Sequence, residues 1–173
     1  MKEDSLGVSM EVKPETPGTT EWALRERIKE LTCLYLVSQE LQKQKSLEEL
    51  CPLIVEYLVP AMQFPEITVP VIKMGNRQFT TRKYSERLSH GLHAEIRLQE
   101  QVLGHLSVYY EEDRPFLIPE EQRLVNAIAE GLSLWSEGRQ AEESLLSALE
   151  ESRKRQGEIA ALLEGSRAVL ECR

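Results

Sequence analysis

The sequence predicts an α/β chain of the α+β kind, with helices leading into antiparallel strand pairs and a long helix closing it. Three observations carry this. Ser46 and Glu49 form the capping box of an amphipathic helix. Residues 92–98 and 102–109 alternate apolar and polar side chains, the period of half-buried strands. From Pro119 to Cys172 no proline or turn cluster interrupts a helical pattern.

The totals narrow the class. A chain of 173 residues holds one domain plus extensions, and 41% hydrophobic with 29% charged residues suits a folded soluble protein. The formal net charge of -8 argues against a nucleic-acid-binding surface. No run approaches the roughly 18 apolar residues of a membrane span, and the first residues lack the apolar core of a secretory signal. We therefore expect no nucleic acid, no membrane insertion and a cytoplasmic location. Cys33, Cys51 and Cys172 show no metal-binding spacing, and the first two fall among apolar neighbours, as buried inert thiols do.

Taken in order, residues 1–18 mix glycine, proline and charge and are expected to be a mobile arm. A helix over 19–43 follows, capped by Thr19 or Thr20, with Leu24, Ile28, Leu31 and Tyr35 in one stripe and Leu34, Val37 and Leu41 widening it to a second face. The capped helix buries Leu47, Leu50, Ile54, Leu58 and Ala61; Pro52 should bend it and Pro60 marks its end. Ile67–Met74 and Arg77–Thr81 then form a hairpin about Gly75-Asn76, in which Pro70 demands a bulge or a short strand. A polar connector over 82–91 leads to the second hairpin. Matching its apolar faces sets Ile96 opposite Gly104, Ala94 opposite Leu106, Glu95 opposite His105 and His93 opposite Ser107, with a three-residue loop at Gln99, Glu100 and Gln101.

Pro119 opens the last helix, whose first stripe is Leu124, Ile128, Leu132 and Trp135. From Glu142 a heptad register holds, with Glu142, Leu149, Gln156, Leu163 and Leu170 at one core position and Leu145, Ser152, Ile159 and Ser166 at the other. Four of these nine are polar, so the seam is weak by itself.

The segment from Ile96 to Leu145 resembles the C-terminal half of a GAF domain. There a strand pair with a glycine inside an apolar strand, as in Val102 to Leu106, precedes a phenylalanine, an acidic pair and a long helix; Phe116, Glu120, Glu121 and the Leu124/Ile128 stripe match. Residues Glu26 to Ala61 resemble the lead-in and first helix of such domains, and the whole resemblance covers roughly residues 22–146. It implies an antiparallel sheet with helices on one face and, in many members, a ligand pocket on the other. It also implies a sensory module, as in sensor histidine kinases, that dimerises through flanking helices and feeds a coiled coil. The chain departs from the family between its hairpins, where only about a dozen residues, Thr81 to Gly91, stand in place of a larger ligand-covering insertion. Tyr110, Glu111 and Glu112 replace the Asn-Lys pair of cyclic-nucleotide binders, and no cysteine lies where bilin-attaching or sulfoxide-reducing relatives place one.

The resulting organisation is an arm over 1–18, a dimerisation helix over 19–43, a minimal GAF-like domain over 44–138 and a coiled-coil helix over 139–173 that leads to a further kinase or sensory domain. The candidate ligand face comprises His93, Glu95, Arg97, Leu103, His105, Ser107 and Tyr109; the same residues also read as a solvated face with a Glu95–His105 pair. A parallel homodimer is expected to use Leu24, Ile28, Leu31, Tyr35, Leu132, Trp135, Leu145, Leu149, Ile159 and Leu163. No catalytic motif or metal-binding set is present and no cofactor is required; whether a small molecule binds stays open. A purely structural dimerisation module and a small redox or metal enzyme are the alternatives.

Overall fold

The computed structural model describes residues 20–82, 84–85, 87–88, 90–116 and 119–171; the expectations for the arm and for Cys172 lie outside them, as do those for the side chains of Ser166 and Leu170. Helix α1 spans Thr20–Leu41, α2 Leu47–Ala61 and α3 Glu120–Glu171. Strands β1 (Thr68–Met74), β2 (Arg77–Thr80), β3 (Gly91–Leu98) and β4 (Gln101–Tyr110) form one antiparallel sheet in the order β2-β1-β4-β3. Among the described residues no helix is long and apolar enough to cross a membrane.

The capping box at α2 forms. The Glu49 carboxylate accepts from the Ser46 backbone N–H at 2.9 Å and from its hydroxyl at 3.0 Å, so the first turn is closed before any packing is added. Leu50, Cys51, Ile54, Val55 and Leu58 of α2 then meet Leu124, Val125, Ile128, Ala129 and Leu132 of α3 and Cys33 and Val37 of α1, over Ile72, Leu92, Ile96, Leu106 and Val108 on one face of the sheet. A smaller cluster, Val69, Val71 and Tyr109, lies apart from this core and is covered by Tyr84 and Leu88 of the connector.

Two details of the sheet differ from expectation. Pro70 sits inside a seven-residue strand without a bulge, because β2 pairs with β1 only from Val71 onward. The second hairpin keeps the expected register from His93 to Ile96, but a bulge between Ile96 and Arg97 shifts the rest, so that Arg97 faces Val102 and Leu98 faces Gln101. The loop is therefore two residues, Gln99-Glu100, with Gln99 held at φ 55°. The bulge absorbs the residue that the three-residue loop was expected to hold. Gly104 lies beside it, where a Cβ would fall 2.0 Å from the Lys73 carbonyl oxygen; only glycine lets β1 and β4 approach there.

Candidate functional site

The register assigns side chains to the sheet face away from the main core in rows. Glu95, His105, Lys73 and Gln78 form one row across β3, β4, β1 and β2; His93, Ser107, Val71 and Thr80 form the next; Gly91, Tyr109 and Val69 complete the face. Its apolar end is closed by the connector. Tyr84 lies 5.5 Å from the Tyr109 ring, and the Lys73 ammonium sits 4.8 Å above Tyr84. His93, Glu95, Arg97, His105 and Lys73 are exposed.

The fold thus brings together His93, Glu95, His105, Ser107 and Tyr109. His93 Nδ1 lies 2.9 Å from the Ser107 hydroxyl and packs edge-on against Tyr109 at 5.4 Å. Burial first, with Tyr84 beside it, pushes the Tyr109 phenol above its ordinary value, so it stays protonated near neutrality. Glu95 stands across from His105 in the backbone register, but its carboxylate accepts from Arg97 Nε at 2.9 Å and from a terminal Arg97 nitrogen at 2.5 Å. The expected Glu95–His105 pair is replaced by this same-strand fork, in which a guanidinium two residues away on the same face donates two N–H groups to one carboxylate oxygen. Leu103 also differs from expectation. It falls at the bulge and packs against the main core instead of standing beside His105.

The candidate partner surface divides in two. Leu24, Ile28, Leu31 and Tyr35 are 50–62% exposed along α1, and Leu145, Leu149, Ile159 and Leu163 are 53–63% exposed along α3. Leu132, in contrast, is fully buried in the domain core and cannot meet a partner, and Trp135 is half-buried against that core. Among the described side chains of α3 Ser136 is the last that is buried; every described side chain from Glu137 to Glu164 is exposed. At 1.5 Å per residue the helix runs about 50 Å past Gly138.

The sequence marked Glu121 and Phe116 through the resemblance alone, and the structure gives each a set of contacts. Glu121 is buried, and one of its carboxylate oxygens accepts from the Tyr110 hydroxyl and the Gln63 N–H, each at 2.8 Å. Burial first, then that carboxylate, raises the Tyr110 phenol. Phe116 stacks on Tyr110 at 4.1 Å, closing the end of β4. A cleft of about 370 Å³ opens beside Glu121 between α1, α2 and α3; Trp22, Ala61 and Leu124 contribute apolar surface and Arg27–Glu30 and Arg123–Glu120 ion pairs. The Cys33 and Cys51 thiols are each pushed up to about 12 by burial and are protonated at neutral pH, the opposite of what a reactive thiol needs. Among the described residues no cluster of three or more His, Cys, Asp or Glu is placed to hold a metal ion.

No protein-family model matches the chain, and no curated protein matches it. The fold, in contrast, has solved counterparts. The crystal structure of the GAF domain of a protein assigned as a sensor histidine kinase, from Pseudomonas syringae pv. tomato, superposes with a TM-score of 0.57 at 16% identity, covering 75% of this chain and 99% of that chain. The helix order, the four-stranded antiparallel sheet and this match define the chain as having a GAF-like fold.

Proposed function

We propose that the chain is a non-catalytic sensory or regulatory module that dimerises in parallel through α1 and α3 and passes a conformational change to a domain beyond α3. The observation that carries the reading is the exposed length of α3. A helix of this length gains little from propensity alone, Gly157 adds a penalty of about 1 kcal/mol, and leucines in water stabilise nothing. A second copy covering Leu145, Leu149, Ile159 and Leu163 supplies what the single chain lacks, about 1.5 kcal/mol or more for each side chain fully buried. The stripe on α1 extends the same surface at the domain. Polar positions Ser152 and Gln156 keep the seam weak, so alternative packings stay close in energy and a change in the domain can select between them. The GAF-like fold supports the sensory reading, and a kinase or another sensory domain is the expected downstream partner, in the cytoplasm.

The test is cysteine cross-linking of Leu149→Cys in a Cys172→Ser background. A parallel dimer places the two introduced thiols across the seam from each other and gives a covalent dimer under mild oxidation; no cross-link at residue 149 or at neighbouring seam positions contradicts the reading.

A second reading, a structural dimerisation module without a ligand, draws on Tyr84 and Leu88, which cover the apolar end of the candidate ligand face. Native mass spectrometry of freshly purified protein separates the two. A bound small molecule supports sensing, and an unliganded dimer supports the structural role.

A further inference from the structure

The edge of the sheet at β3 is closed by side chains of α3 instead of by another strand. Gln122 Nε2 donates to the His93 carbonyl at 3.0 Å, the Arg97 N–H donates to the Ser133 hydroxyl at 2.8 Å, and the Gln99 N–H donates to the Glu137 carboxylate at 3.2 Å. Gln122, Asn126, Ala129, Ser133 and Glu137 follow one another at three- and four-residue steps and so share one face of α3. The row is itself bonded, Gln122 to Asn126 at 2.8 Å and the Ser133 hydroxyl to the Ala129 carbonyl at 2.9 Å. An open edge would leave these groups to water or to another chain, and α3 satisfies one β3 carbonyl, one β3 N–H and one N–H of the turn internally.

Two of the three bonds hold the hairpin tip, and the tip is mechanically distinct from the sheet behind it. The bulge between Ile96 and Arg97 interrupts the ladder where the tip begins, and Gln99 holds a backbone conformation that non-glycine residues rarely adopt. Their acceptors also stand at a particular place on α3. Ser133 lies within the last buried turn, Glu137 directly follows Ser136, and Gly138 comes next. On the open face of the same strand, the Arg97 guanidinium is forked onto Glu95. One residue thus has its side chain on the candidate ligand face and its amide on the helix that leaves the domain.

We propose that Ser133 and Glu137 form a strap that couples the Glu95–Arg97 pair and the β3–β4 tip to the exposed length of α3. Anything that engages or releases the Arg97 fork shifts the tip, and the strap carries that shift to the turn from which α3 departs. This rests on the reading that α3 carries a signal outward, and the strap is defined inside one chain. It is therefore tested separately from dimerisation.

The experiment is a double-mutant cycle read by hydrogen–deuterium exchange on the full chain. Arg97→Ala removes the fork and keeps the amide. In the native background it is expected to change the exchange rate of amides over residues 138–145 at least threefold. In a Ser133→Ala/Glu137→Ala background the same change is expected to fall below 1.5-fold, and Glu137→Gln, which keeps an acceptor, is expected to retain the native response. An equal effect of Arg97→Ala in both backgrounds, or no effect in the native one, overturns the strap. Light scattering on the same samples reports the oligomeric state, so a monomeric mass would remove the dimer reading and leave the exchange cycle to decide the strap.

Discussion

At Gly104 a Cβ would stand 2.0 Å from the Lys73 carbonyl oxygen, whereas at Gly138 it would meet nothing within 4 Å. The same substitution therefore has opposite signs at the two sites. Gly104→Ala should cost about 3 kcal/mol or more in denaturant unfolding, because backbone must move to make room. Gly138→Ala should stabilise α3 by up to about 1 kcal/mol through helix propensity alone, seen as slower amide exchange around it. Glu40 gives a pH prediction at the same scale. Hydrogen bonds from Lys43 and Lys45 hold its carboxyl below the ordinary 4.5. A folded value below the unfolded one means the pair's contribution is present above about pH 4.5 and is lost as pH falls through the lower folded value. The fall in Tm between pH 7 and pH 3 should thus be smaller in Glu40→Gln than in the native chain.

Helix α2 depends on its capping box, so Ser46→Ala should lower stability by about 1 kcal/mol in thermal or denaturant unfolding. The β3–β4 turn offers the converse case. Gln99 sits at φ 55°, and Gln99→Gly should raise the melting temperature by relieving a cost of about 1 kcal/mol. These two elements also mark what the sequence could and could not reveal. The pairings of His93 with Ser107 and Ile96 with Gly104 were legible because alternation leaves one register that buries the apolar set. The turn was not, because a bulge hides one residue without disturbing the hydrophobic pattern. The Arg97–Glu95 fork was missed because cross-strand pairing rules carry no information about same-strand neighbours. Tyr84 and Leu88 were read as part of a polar connector, since their contacts with Val69, Val71 and Tyr109 are long-range and leave no periodic trace. Ser133 and Glu137 likewise lie on a helix face whose polar character reads as solvated, while the structure uses them to close a strand edge.

In the whole molecule the two ends of α3 do different work. Its first turns, through Leu132, complete the core of a GAF-like domain, and every described side chain after Gly138 up to Glu164 is exposed. The stripe on α1 and the row on α3 are both apolar and both exposed, and in the proposed dimer a second copy would join them into one interface. Leu149→Lys should weaken that interface, because a charge at a seam position loses solvation on assembly, while leaving the domain's own unfolding transition in place. The most direct measurement is the mass of the full chain in solution by multi-angle light scattering at micromolar concentration. We predict twice the 19.8 kDa chain mass, falling toward the single-chain mass in Leu149→Lys. A single-chain mass for the native protein across that range would contradict the account.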